Sequence, residues 1–185
     1  MTDQATEYLV KRQQFLIVDT CCLLCLHVSG HMREILSVTA ARVMVPQYIQ
    51  HEELLNVDLG PYIKDRTLEI AIPDDLIYTS VAADFASQGL DNGEAFVGAF
   101  AKRYSWAVAT DDRPAARIFA KDLPHLELVD TPAMLKHWAE QHHPPDVLLR
   151  ATLNVVQEKG PYRPRRKHPL YNWWEGTLTL KESTS

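Results

Sequence analysis

The sequence predicts an α/β fold: three layers, α/β/α, around a central and mostly parallel sheet, with a C-terminal extension of helix and tail. Three observations predict it. Short apolar runs alternate with helix-length segments along most of the chain, the pattern of a parallel sheet covered on both faces. The first run, Phe15-Leu-Ile-Val18, is unbroken, as in a strand buried on both sides. It leads into Asp19-Thr20, placing an acid at the carboxyl end of a central strand, where open α/β sheets bind their ligands.

The elements follow in order. Residues 20–27 read as a helix with Gly30 as its end or a turn, and residues 31–41 as a second helix with Ile35, Leu36 and Val38. Arg42-Val-Met-Val-Pro46 reads as a strand stopped by a proline that suits the first turn of a new helix, residues 47–56. Gly60-Pro61 closes that stretch, and residues 67–72 alternate weakly as a further strand. Residues 77–87 read as helix up to Gly89, and Asp91-Asn-Gly-Glu94 opens the clearest helix, 94–104. A strand at 106–110, a helix at 113–121 and a strand at 126–129 complete the alternation. A helix at 131–138 takes Thr131 as its N-cap. His142-His-Pro-Pro145 reads as a linker, residues 146–158 as a helix, and 160–185 as a tail without a clear period. The expected organisation is an N-terminal extension (1–14), the main domain (15–140) and a C-terminal extension (141–185). The histidines His137, His142 and His143 sit among prolines and polar residues, which favours a solvated linker over a metal site.

With 185 residues, 46% hydrophobic, and a formal net charge of -5, the chain suffices for one well-buried domain and an extension. The acidic balance argues against unspecific coating of DNA. No apolar run approaches the ~18 residues of a membrane span, and residues 1–14 are unlike a secretory signal, so a soluble cytoplasmic protein is expected. The cysteines Cys21, Cys22 and Cys25 lie together after the first strand. Cys22-x-x-Cys25 would be half a zinc site or a redox pair, but no second pair accompanies it, which favours buried thiols on an apolar helix face.

The acids carry the chemistry. Asp19, and Asp111-Asp112 after the 106–110 strand, each suit a helix cap; capping needs only one of the latter pair. Asp91-x-x-Glu94 has capping-box spacing. On a helix counted from Val45, the face shared by Val45, Tyr48, Ile49 and Leu55 contains Glu52, with Glu53 at its edge. A carboxylate aimed at a core needs compensation, so Glu52 is favoured over Glu53 as the functional acid. Carboxylates crowded at one sheet edge repel unless a cation holds them. Oxygen ligands alone point to Mg²⁺ or Mn²⁺ and to hydrolysis of phosphate esters.

The ordered set Phe15-Leu-Ile-Val-Asp19-Thr20, Val45-Pro46 with Glu52, Gly93-Glu94-Ala95 and Ala109-Thr110-Asp111-Asp112 resembles the PIN-domain nucleases, from about residue 15 to residue 138. The VapC-like toxins of type II toxin–antitoxin pairs are the best-known of these. The resemblance implies a Mg²⁺- or Mn²⁺-dependent endoribonuclease cutting single-stranded or structured RNA. It implies Asp19, Glu52, Glu94 and Asp112 as the catalytic acids holding one or two ions. Asp111 would be a spare or additional metal-side acid, and Thr20, Glu53, Asp91 and Thr110 supporting groups. An antitoxin protein and a homodimer or higher homo-oligomer are the implied partners, with no membrane. The third acid is Glu where many such toxins carry Asp, and the chain continues past Trp138.

Two other classes compete. One is a scaffold of the same kind that grips RNA or a protein without cutting. The other is an aspartyl-phosphate phosphatase or phospho-receiver, which would want a second acid two residues after Asp19, where Cys21 stands. The tail offers the one basic, aromatic cluster: Arg163, Arg165, Arg166, Lys167, Trp173 and Trp174. It reads either as a single-strand RNA contact, as a tail clamped to the domain by its tryptophans, or as a protein-docking site.

Overall fold

A computed structural model of the chain describes residues 12–160 and 162–179, with residues 78 and 79 described by backbone alone. Five strands form one sheet: β1 (Gln13–Val18), β2 (Ala40–Pro46), β3 (Glu69–Ala71), β4 (Ala107–Ala109) and β5 (Leu128–Val129). All pairings are parallel, in the order β3-β2-β1-β4-β5. The apolar run of β1 takes the centre, with Leu16, Ile17 and Val18 all 0% exposed.

α-Helices and two π-wound stretches, Ile49–Glu53 and Ile77–Val81, lie between and after the strands and flank the sheet. α1 (Thr20–Ser29), α2 (Met32–Thr39) and α7 (Thr131–His142) pack together, with α8 (Asp146–Lys159) against α1. α4 (Ala82–Ser87) and α5 (Asn92–Tyr104) pack with one another, and Phe85 and Phe119 join α4 to α6 (Arg113–Asp122) edge to face at 5.7 Å. The result is the expected three-layer α/β/α arrangement. α1 stops where predicted, at Gly30, whose φ of 76° is left-handed backbone that glycine adopts without penalty.

The differences from the sequence reading lie at edges and in the extension. β2 begins at Ala40, directly after α2. α3 (Gly60–Lys64) is a single turn with Pro61 in its first positions, where the sequence suggested only a break. α7 is capped by Asp130, which accepts from Ala133 N–H at 2.9 Å, rather than by Thr131, and it runs on to His142. The linker therefore shrinks to residues 143–145, and the His137 ring bonds the Val38 carbonyl at 3.2 Å instead of facing solvent alone. α9 (Tyr171–Thr179) lies in what reads as an aperiodic tail. Residues 1–11, the greater part of the expected N-terminal extension, and the last six residues of the tail lie outside the described residues. Among the described residues no helix is long and apolar enough to cross a membrane.

The topology sets the site. From β1 the chain passes to β2 and β3 on one side, then crosses back to β4 and β5 on the other. The adjacent carboxyl ends of β1 and β4 are thus the switch point, where the connecting segments part and leave a crevice. Val18 pairs with Ala109, and Asp19 N–H donates to the Ala109 carbonyl at 3.0 Å. Asp19 and the Thr110–Asp112 stretch therefore leave the sheet side by side.

Candidate metal centre

A cavity of about 250 Å³ opens at this crevice, walled by Asp19, Glu53, Glu94 and Asp112 from four separated segments, with Asp91, Thr20, Cys21 and Leu24 completing it. Asp19 is 4% exposed. It caps α1 through Thr20 N–H at 2.8 Å and also accepts from the Cys21 thiol and the Thr110 hydroxyl, both at 3.1 Å. Thr110 in turn accepts from Asp112 N–H at 3.1 Å, so one hydroxyl ties the two strand-end acids together. Asp112 caps α6, with Oδ1 accepting from Ala115 N–H at 2.8 Å. Capping and lining the cavity are compatible, because the cap uses one carboxylate oxygen.

The glutamate of this doublet that lines the cavity is Glu53, where the sequence favoured Glu52. The helix after β2 is wound in π fashion over Ile49–Glu53, closing with Leu54 N–H to the Ile49 carbonyl at 3.0 Å. A π turn holds more residues than an α turn, which shifts the inward face by one position. Ile49 and Leu54 are buried while Leu55, which an α-helical count puts inside, is 74% exposed. Both glutamates are exposed, but only Glu53 is part of the cavity wall. Glu53 accepts from the Thr20 hydroxyl. Its carboxylate lies against Gly93, where a methyl group would overlap it. Tyr48 fixes this segment to the start of α5, stacking on Phe96 at 5.5 Å and accepting from Asn92 Nδ2 at 3.2 Å.

Glu94 both caps its helix and lines the cavity. The capping box is formed, with Asp91 Oδ1 accepting from Glu94 N–H at 2.9 Å and Glu94 Oε2 from Asp91 N–H at 3.2 Å. The same carboxylate also lines the cavity. Asp111 does not. Its oxygens accept from Thr131 N–H at 2.8 Å and Thr131 Oγ1 at 2.7 Å, joining the end of β4 to the start of α7. The doublet divides the work: Asp112 faces the cavity, and Asp111 holds the fold.

The electrostatics follow from crowding. Burial raises the pKa of Asp19 and of Glu53, partly offset by their hydrogen bonds, with Asp91 adding repulsion at both. Burial pushes Glu94 up to about 7, helped by the charges of Asp91, Asp112 and Asp19. Among the described residues no lysine, arginine or histidine lies in the wall of this cavity. No three oxygens of these acids, among the described residues, lie within 4.8 Å of one another, so holding one ion would require these side chains to draw closer together. An all-oxygen donor set of this charge fits Mg²⁺ or Mn²⁺.

Cys21, Cys22 and Asp111 do bring donor atoms within 4.8 Å of one another. Burial raises the Cys22 thiol well above its usual range and Cys25 to about 12. Both therefore stay protonated, which matches buried thiols better than a thiolate centre. Cys21 and Leu24 are wall residues without a sequence signal of their own; Cys21 takes its place by standing two residues past Asp19, on the first turn of α1.

The tail is clamped. Trp174 is 0% exposed and donates from Nε1 to Gln157 at 3.3 Å, and Trp173 meets it edge to face at 6.3 Å. Trp174 is therefore unavailable for stacking on a base, while Arg163, Arg165, Arg166 and Lys167 remain exposed. Leu170 N–H donates to His168 Nδ1, leaving Nε2 to donate to Asp130 at 2.7 Å. Comparison of the chain with protein-family models, with curated proteins and with solved structures finds no match.

Proposed function

We propose that the chain is a Mg²⁺- or Mn²⁺-dependent endoribonuclease of the PIN-domain kind, hydrolysing phosphodiester bonds of RNA. The observation that carries this reading is the meeting of Asp19, Glu53, Glu94 and Asp112 around one cavity without a cationic neighbour in its wall. These four acids would hold the ion or ions, with Asp91 beside them. A bound divalent ion supplies a lowered pKa for water and charge stabilisation on the phosphoryl and leaving oxygens.

The chain's own contribution is placement. Asp19 is held from three directions by Thr20 N–H, the Cys21 thiol and the Thr110 hydroxyl. Glu53 is braced by the Thr20 hydroxyl and by Gly93. Glu94, with Oε2 engaged by Asp91 N–H and its pKa near 7, can keep a proton on Oε1 and release it as a cation enters. The test is cleavage of labelled single-stranded RNA with Mn²⁺. Cutting should stop on adding EDTA and in Asp19→Asn and Asp112→Asn. A folded wild-type chain that cuts no RNA with either ion would overturn the reading in favour of a non-cutting scaffold.

The more specific form of the proposal is the toxin of a type II toxin–antitoxin pair, acting as a homo-oligomer. Expression should then arrest growth in an RNA-cleavage-dependent way, with relief by a protein encoded beside it.

A further inference from the structure

Asp112 stands between two cavities. Beyond it lies a cleft of about 230 Å³ walled by Asp111, Asp112, Arg113, Pro114, Tyr162, Arg163 and Arg165, with both Asp111 oxygens engaged by Thr131. Arg113 begins α6, whereas Arg163 and Arg165 come from the C-terminal extension, so folding gathers these cations from distant parts of an acidic chain. Arg163 is held by Glu175 at 3.0 Å. Arg113 and Arg165 are exposed, and among the described residues neither forms an ion pair with a carboxylate. Stability does not account for Arg113, since a cation in the first turn of a helix opposes the helix dipole. Nor does a loose tail account for Arg165. Pro164 before it is buried, its own carbonyl accepts from His168 N–H at 2.7 Å, and the His168 ring bonds Asp130. Burial, with Asp130 and Asp111 nearby, holds the Tyr162 hydroxyl above its usual pKa, so it stays a neutral donor in the cleft wall.

We propose that this cleft is a phosphate subsite for single-stranded RNA, in which Arg113 and Arg165 bind the backbone next to the bond presented to the acid cavity. The proposal rests on the nuclease reading above and names how its substrate is held. Guanidinium forks match phosphate oxygens in two-point contacts. RNA is favoured over an acidic protein segment because the two cavities share Asp112. A backbone carrying a charge on every residue can occupy the arginine cleft and the cation-filled acid cavity together. With Trp174 buried, charge carries more of the affinity than stacking, so binding should respond steeply to salt.

The experiment uses the full chain, 5′-fluorescein-labelled single-stranded RNA and fluorescence anisotropy in EDTA at several salt concentrations. Arg113→Ala/Arg165→Ala should weaken binding by about tenfold or more. It should also reduce the slope of log K against log salt by about 0.7 per arginine removed. Mn²⁺ affinity measured on the same double variant by calorimetry reports whether the acid cavity is intact. Unchanged RNA affinity and slope overturn the subsite, as does undetectable RNA binding by the wild type. Arginine-dependent binding of polyglutamate with unaltered RNA binding would reassign the cleft to an acidic protein and also overturn it. Arginine-dependent RNA binding in a chain that never cuts leaves the subsite standing and removes the nuclease reading. Cutting without arginine dependence does the reverse.

Discussion

At the scale of single residues the account turns on Glu53. Glu53→Gln should lower Mn²⁺-dependent RNA cleavage by more than about 100-fold, since even groups behind a ligand are worth about 10–100-fold. Glu52→Gln should leave it within about twofold; single-turnover cleavage assays of the two variants separate them. Equal losses at the two positions would contradict the π-wound geometry. Gly93→Ala is the second test at this scale. The new methyl overlaps the flexible end of Glu53 rather than backbone, so the fold should survive with little change in Tm. Mn²⁺ affinity, read by calorimetry, should fall by about 10- to 100-fold. Asp19, Glu94 and Asp112 were legible in the sequence because strand ends and a capping box fix their places without any count along a helix. Glu53 was not, because choosing between neighbouring glutamates assumed α winding from Val45, a residue that belongs to β2.

The elements show why the extension was harder to read than the sheet. The strands announce themselves by unbroken apolar runs, and their parallel order follows from the helices between them. α9 contains two tryptophans, a glycine and threonines, none a strong helix former, so local preference gave no signal. It is packing of Trp174 and Leu170, 0% and 6% exposed, that makes it a helix. Trp174→Ala should therefore cost about 3–5 kcal/mol, a drop in Tm on the order of 10 °C for a chain of this length. Trp173→Ala, removing a half-buried ring, should cost clearly less. Differential scanning calorimetry checks both. A small loss at Trp174 would mean that the extension is not clamped as described.

For the whole molecule, the parallel sheet places its switch point beneath four acids, and the cost of gathering them should appear in stability. Asp19 and Glu53 are raised above their usual values by burial, Glu94 to about 7 and Asp111 to about 6. A raised carboxylate pKa means that the native state binds more protons than the unfolded chain between the two values. Stability of the metal-free protein therefore falls as pH rises from about 4 to about 7. Asp65, lowered to about 2 by Thr67 and Arg33, acts in the opposite sense only below that window. In EDTA, Tm should be higher at pH 5 than at pH 8, and Glu94→Gln should flatten the difference. Mn²⁺ should raise Tm at pH 8 far more than at pH 5, because binding must displace protons from the same acids. A Tm that climbs from pH 5 to pH 8 in EDTA would contradict the crowding.

The most direct measurement is anomalous diffraction from a crystal of the full chain soaked in Mn²⁺ at pH 8. The account places a peak within ligand distance of carboxylate oxygens from Asp19, Glu53, Glu94 and Asp112, lost in Asp19→Asn. Full soaking with no peak in that cavity, or a peak bound through Glu52 instead, would contradict it.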